Sequence, residues 1–320
     1  MEKLRGWEFK MTNEPLELVE KEIPKTEEGR VVIKVGACGV CHSDYGSMTD
    51  PNWFDLMDPP VILGHEIAGT ITDVGPGVEG YKVGDRVAVC PMGSNDGRTP
   101  GYETDGGYAT YTTAPQESLV PVPDNVDIKQ GAAATDAGGT SYRAVVTKGG
   151  VKKGTKVGII GIGGLGTVGM NVAISKGAEV YVATRNPDAQ EKARKAGAYK
   201  VATSITEFAD DELEVIVDYA GASTTTSDAI GAVKAGGRVV LVGMAKLDPT
   251  IMTSPLITKE VELVGSVGST IEEVQAVIDM IADGILEIEI VECSLEEVPD
   301  ELVRLDKGGV QERIVMVNKD

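Results

Sequence analysis

Short apolar runs broken by turn residues fill the first part of the chain. The segments RVVIKVGA (30–37), EIAGTITDVG (66–75), DRVAV (85–89) and YATYTTA (108–114) are separated by Gly, Pro and Asp, which predicts short strands joined by tight turns. No long helical period occurs over about the first 130 residues. From about residue 140 the pattern changes. KVGII (156–160), EVYVAT (179–184), YKVAT (199–203), EVIVDYA (214–220), RVVLVG (238–243) and VELVGSVG (261–268) read as strands. Helical stretches follow the first, DAQEKARKAG (188–197) follows the second, and another helix is expected from about Ser223. Strand and helix alternating at this spacing predict a parallel sheet with helices on both faces.

After Gly268, STIEEVQAVIDMIADG predicts a helix. Ser269 with Glu272 reads as a capping box, Ile271, Val274, Ile278 and Ile281 share one face, and Gly284 stops it. The tail ends in a strand-like RIVMV (313–317). No repeat or low-complexity linker separates the parts, so a cleft between them is the first place to look for a site.

Composition narrows the partners. The chain has 320 residues, 42% of them hydrophobic, with 30 Lys and Arg against 50 Asp and Glu, a net charge of -20. That charge repels nucleic acid and anionic membrane surfaces, so neither is an expected partner. The N-terminus MEKLRGWEFK has no apolar signal-like region, and the longest uncharged run, Val157 to Ser175, is broken by glycines rather than shaped as a span. Cys38, Cys41, Cys90 and Cys293 are too few for a disulfide framework in a chain this long, so the expected location is the cytoplasm.

The candidate chemistry begins at KVGIIGIGGLGTVG (156–169). Gly161-x-Gly163-Gly164-Leu165-Gly166 follows a buried-strand pattern and opens a helix, the arrangement that binds a dinucleotide pyrophosphate. Gly161 allows the turn, Gly163 the approach of phosphate, and Gly166 the packing of helix on sheet. NAD-binding units usually carry an acidic residue at the end of the second strand; this chain has Thr184 and Arg185. A hydroxyl beside a guanidinium suits a ribose 2′-phosphate, so NADP(H) is expected in preference to NAD(H).

GACGVCHSDYG (36–46) gathers Cys38, Cys41, His42 and Asp44, and its Cys-x-x-Cys spacing fits thiol exchange, half a metal site or a packed loop equally well. The chain's other histidine, His65, stands beside Glu66, and Asp136 lies at the seam between the two parts.

In GVCHSD, GHEIAGTITDVGPGVEGYKVGDRV, DGGYATYTTAP, GIGGLGTVG and ERIVMV the chain resembles the zinc-dependent medium-chain alcohol dehydrogenases, in family order over nearly its whole length. The resemblance implies an α/β protein: a β-rich GroES-like catalytic domain (1–136, completed by 269–320) and a doubly wound Rossmann nicotinamide-binding domain (137–268). It implies one catalytic zinc on Cys41, His65 and Asp136, with aspartate where most relatives have cysteine. Cys38 falls on a position that is not a ligand. Asp44 would hold the far nitrogen of His65, Glu66 would stand behind the metal, His42 and Arg313 would reach the cofactor pyrophosphate, and Ser43 would take the substrate proton. Many relatives pass that proton to a histidine where this chain has Gly46. Trp53, with Phe54 and Met57, falls where relatives place substrate-pocket side chains.

Cys90 is the sole cysteine of CPMGSNDGRTPGYETDGGY (90–108), so the four-cysteine structural zinc of many relatives has no counterpart. Cys90 and Cys293 are expected to be ordinary buried thiols. The implied activity is hydride transfer between NADP(H) and an alcohol, aldehyde or ketone, in a homodimer or homotetramer. Reduction of a conjugated C=C or C=N bond on the same scaffold is the alternative within enzymes. A nicotinamide-binding protein without turnover is the alternative outside them, against which the joint presence of Cys41, His65, Asp136 and Ser43 argues.

Overall fold

The computed structural model describes residues 2–222 and 224–319. They divide into two compact units, residues 1–139 with 269–320, and 140–268. The first junction lies three residues beyond the expected 136, and the second follows Gly268.

The first unit is built on a seven-stranded sheet in which Ile290–Cys293, Arg313–Val317, Arg30–Gly39, Glu66–Val74, Arg86–Val89 and Leu119–Pro121 lie in that order, with Tyr111–Pro115 also paired to Arg30–Gly39. Glu17–Lys21, Leu4–Phe9 and Val61–Ile62 form a second, three-stranded sheet. Alternation places Val31, Ile33 and Val35 of the long strand in one core with Ile67, Ile71 and Val87. Two register shifts interrupt the Arg30–Gly39 and Glu66–Val74 pair, so its far end is set by local packing as well as by alternation. There Gly39 pairs with Glu66 on one side and Val315 on the other. The C-terminal strand thus brings Arg313 to the same end of the sheet.

Helix appears where periodicity did not announce it. His42–Thr49 is helical, although Gly46 and its β-branched or hydroxylated neighbours are weak helix formers. Residues Ala134–Gly138 and Arg143–Lys148 form π-helical turns, a geometry that recurs at functional sites and leaves no signature in an apolar pattern. In the C-terminal part, Thr270 rather than Ser269 caps the helix Ile271–Ala282, with Glu273 rather than Glu272 completing the box. The reason lies in Ser269, whose hydroxyl instead donates to the Thr135 carbonyl at 3.1 Å. The buried face shifts accordingly, to Val274, Val277 and Ile278.

The second unit holds six parallel strands in the order Lys200–Ala202, Glu179–Ala183, Lys156–Ile160, Leu213–Asp218, Val233–Leu241, Glu262–Gly265. The chain winds outward from Lys156–Ile160 in one direction and then restarts beside it in the other, a doubly wound order. The strand ends flanking that reversal are the usual place for a nucleotide. The helix expected from about Ser223, a residue outside the described ones, runs from Thr225 to Ala232.

Candidate metal centre and nucleotide site

Cys41, His65, Glu66 and Asp136 come together within the first unit, their ligand atoms all within 4.8 Å of one another. Each is placed at or in a secondary-structure element. Cys41 caps the His42–Thr49 helix, His65 directly precedes the Glu66–Val74 strand, and Asp136 sits in the first π-helical turn. Cys41 Sγ lies 3.8 Å and His65 Nε2 3.7 Å from the same Asp136 oxygen. Thiol, imidazole and carboxylate pointing at one point, largely buried, have the chemistry of a zinc site. Cys38 is buried outside the cluster, with its thiol 3.7 Å from the Gly39 carbonyl.

The surroundings hold these side chains in place. Asp44 Oδ1 is 3.2 Å from His65 Nδ1, which leaves Nε2 to face the cluster. Asp44 Oδ2 accepts from the Tyr108 hydroxyl at 2.6 Å and from the Cys41 amide at 3.4 Å. Tyr108 is fully buried and also reaches the Gly39 carbonyl at 3.3 Å. Glu66 is fully buried and bound by Arg313, whose Nε donates to Oε2 at 3.0 Å while a terminal nitrogen holds Oε1. Arg313 also lies 3.9 Å from Asp136. Expected at the cofactor phosphates, Arg313 is only 3% exposed and serves as counter-ion inside the cluster.

Gly39 shows why this pair needs a glycine opposite it. A Cβ there would sit 1.9 Å from Glu66 Oε2.

The electrostatics follow from this crowding. Burial opposes charge on His65, but Asp44, Tyr102 and Asp136 outweigh it and raise the imidazole's pKa well above its ordinary value. Burial raises the Cys41 thiol, yet Arg313 and His65 overcome it and the net shift is downward, toward the thiolate that binds metal. Burial pushes Cys38 up, as it does Cys90, and it takes Cys293 up to about 12 with the help of Glu301 and Glu297. Cys90 and Cys293 are buried free thiols.

Around the cluster, His42 is turned toward the Leu305 carbonyl, with Nε2 at 3.0 Å, and burial lowers its pKa. Trp53 covers Gly46: a Cβ on that glycine would come within 3.1 Å of the indole. Phe54 and Met57 instead pack on the core of the unit, Phe54 with its ring 6.3 Å from that of Phe9. Tyr102 sets the edge of its ring against His65, centroids 5.6 Å apart. Neither Tyr102 nor Tyr108 was legible as a site residue, because each is placed by contacts across many residues rather than by a local motif.

In the second unit, the glycine turn follows the Lys156–Ile160 strand. Gly161 has φ +83°, in the left-handed region. Gly163 caps the Gly164–Ser175 helix, and a Cβ at Gly166 would lie 1.8 Å from the Gly161 carbonyl oxygen. Helix and turn therefore approach as closely as backbone allows. Amides at the helix start are the natural seat of a phosphate. Thr184 directly follows the neighbouring strand Glu179–Ala183, its hydroxyl accepting from the Asn186 amide at 3.4 Å, and Arg185 beside it is exposed.

Residues 27–124 match the alcohol dehydrogenase GroES-like domain family and residues 164–283 the zinc-binding dehydrogenase family. An alcohol dehydrogenase of Geobacillus stearothermophilus is 32% identical, over 95% of this chain and 96% of its own length. The NADP-dependent alcohol dehydrogenase 6 of Saccharomyces cerevisiae is 30% identical, over 90% and 88%. The structure of acetophenone reductase from Geotrichum candidum, in complex with NAD, superposes with a TM-score of 0.91 at 28% identity, over 99% of this chain and 98% of that one. Fold, landmarks and relatives thus agree along nearly all of its length, and the chain belongs to the zinc-dependent medium-chain alcohol dehydrogenase family as an alcohol oxidoreductase.

Proposed function

We propose that this chain is a zinc- and NADP(H)-dependent alcohol dehydrogenase that interconverts a small alcohol with its aldehyde or ketone. The observation that carries the reading is the convergence of Cys41, His65 and Asp136 on one point, with Asp44 bound to the far side of His65. Zinc held there would polarise the substrate oxygen, and the nicotinamide would give or take the hydride.

The chain's own residues do the rest. Asp44 fixes the tautomer of His65. Arg313 neutralises Glu66, so that the crowded carboxylates do not repel one another. Ser43, two residues after Cys41, takes the alcohol proton while passing its own on to water or the cofactor ribose during oxidation, and the transfer reverses during reduction. Trp53, which stands apart from the hydrophobic core that takes Phe54 and Met57, forms part of the substrate wall. The amides following Gly161, Gly163, Gly164, Leu165 and Gly166, assisted by His42, hold the pyrophosphate. Thr184 and Arg185 face the 2′-phosphate, and Arg185 carries no ion pair with a described residue that would compete for it.

The chain also assembles as a homo-oligomer. The last strand of the parallel sheet, Glu262–Gly265, has one neighbour, and Leu263, Val267 and Ile257 near it are 37%, 68% and 71% exposed.

The test is a panel of primary, secondary, allylic and aromatic alcohols with their carbonyls, run with both cofactors on metal-quantified protein. One zinc per chain is expected, with turnover lost on chelation and in Asp136→Ala. Zinc-free protein that keeps full activity would overturn the mechanism. kcat/KM should favour NADPH over NADH, and Arg185→Ala should weaken NADPH alone; a preference for NADH would overturn the cofactor assignment.

A further inference from the structure

At the carboxyl end of the parallel sheet, the turns that follow three of its strands are stacked on one another. A Cβ on Gly161 would lie 3.3 Å from Ala220, and one on Gly221, where φ is +57°, would overlap the Gly243 carbonyl. Asp218, fully buried at the end of Leu213–Asp218, ties these turns together. Its Oδ1 accepts from the Ala220 and Gly221 amides, each at 3.0 Å, and its Oδ2 from the hydroxyls of Thr225 at 2.8 Å and Thr226 at 2.9 Å. Its carbonyl accepts from the Val242 and Gly243 amides, both at 3.0 Å. Both carboxylate oxygens are therefore spent on the frame itself.

The next strand end is different. Ser266 directly follows Glu262–Gly265, and its amide donates at 2.9 Å to the carbonyl of Leu241, the last residue of the neighbouring strand. The residue is 8% exposed, and its buried hydroxyl has no hydrogen-bond partner among the described residues. Val267, which follows it, is 68% exposed, so Ser266 lies just beneath the surface. A buried hydroxyl without a bond carries its desolvation cost uncompensated, and such a group in a native fold calls for a reason. Neither the strand pairing nor the Asp218 frame uses it.

We propose that the Ser266 hydroxyl binds the nicotinamide nucleoside of the cofactor. A dinucleotide lies across both halves of a doubly wound sheet. With the 2′-phosphate at Thr184 and Arg185 and the pyrophosphate at Gly161 to Gly166, the nicotinamide nucleoside falls to the half made by Leu213–Asp218, Val233–Leu241 and Glu262–Gly265. Its ribose hydroxyls and its carboxamide are groups that a serine bonds as donor or as acceptor. The inference rests on the nicotinamide-dependent reading above and adds to it a side chain for the half of the cofactor that carries the hydride.

Ser266→Ala removes that hydroxyl alone. NADPH should then bind about tenfold more weakly, the loss of one hydrogen bond, as read from nucleotide fluorescence. Adenosine 2′,5′-bisphosphate, which lacks the nicotinamide nucleoside, should compete as well as it does on the wild type; a distorted unit would weaken both. If NADH proves the preferred cofactor, NADH and ADP make the same comparison. Since the hydroxyl has no bond within the protein to lose, the cofactor-free variant should unfold in urea at the wild-type midpoint or above it. Unchanged cofactor affinity, an equal loss for cofactor and fragment, or a lowered midpoint would overturn the inference while leaving the enzyme reading intact. A wild-type chain that binds neither NADPH nor NADH would overturn both.

Discussion

Tyr108 illustrates how one hydroxyl can act on a candidate metal site that it does not touch. Its bond to Asp44 at 2.6 Å leaves that carboxylate facing His65, and with the Tyr108 ring fully buried, water cannot take its place. Tyr108→Phe should leave the fold intact and weaken zinc binding by about tenfold, the lower end for a partner of a ligand's partner. Competition with a chromogenic chelator measures this, and unchanged affinity would count against the chain Tyr108, Asp44, His65. The Glu66–Arg313 pair works differently, because removing either member strands a buried charge. Gly39→Ala, whose Cβ overlaps the Glu66 carboxylate, should destabilise the first unit by roughly 3–5 kcal/mol in urea unfolding, the range for a broken buried pair. Cys41, His65 and Asp136 were readable from residue type and resemblance. Tyr108, Tyr102 and the need for glycine at 39 were not, since no local pattern encodes a contact made across 27 to 69 residues.

At the level of elements, the glycine turn and its helix form the clearest case of sequence prescribing geometry. Three glycines are spaced so that the helix start sits almost on the turn, and the 1.8 Å separation at Gly166 leaves no room for a methyl group. Gly166→Ala should abolish nucleotide binding, measured by cofactor fluorescence, while zinc content stays at wild type; retained nucleotide affinity would show that the helix can retreat without cost. Strands such as Arg30–Gly39 and Lys156–Ile160 were equally legible, because period-two alternation and β-branched runs are local signals, whereas Leu4–Phe9, Glu17–Lys21 and Ile290–Cys293 were not. Caps and irregular helix were not. Ser269 had the right chemistry for a cap, but its hydroxyl is claimed by Thr135, and the cap moves one residue to Thr270. The π-helical turn at Ala134–Gly138 that presents Asp136 has no compositional mark at all.

For the molecule as a whole, charge and exposed apolar surface point to different expectations. A net charge of -20 favours separate chains, whereas Ile257, Leu263 and Val267 expose apolar side chains in the segment that holds the last strand of the parallel sheet. The apolar side chains should prevail, because surface charge is screened at physiological salt and buried apolar area is not. Light scattering should find a dimer or tetramer, and Val267→Asp should shift it toward monomer; a monomeric wild type would refute the assembly. Among the described residues no helix is long and apolar enough to cross a membrane.

By itself the sequence determined the alternation of strands, the change from β-rich to parallel α/β style, the glycine turn, and the residue types able to hold a metal. Those follow from periodicity, backbone freedom and donor chemistry, which are properties of neighbours in the chain. Only the tertiary structure decided that Arg313 closes on Glu66, and that two distant tyrosines stand against Asp44 and His65. These depend on sheet register and on a buried π-helical turn, where the burial of polar groups is tolerable only with each partner in place.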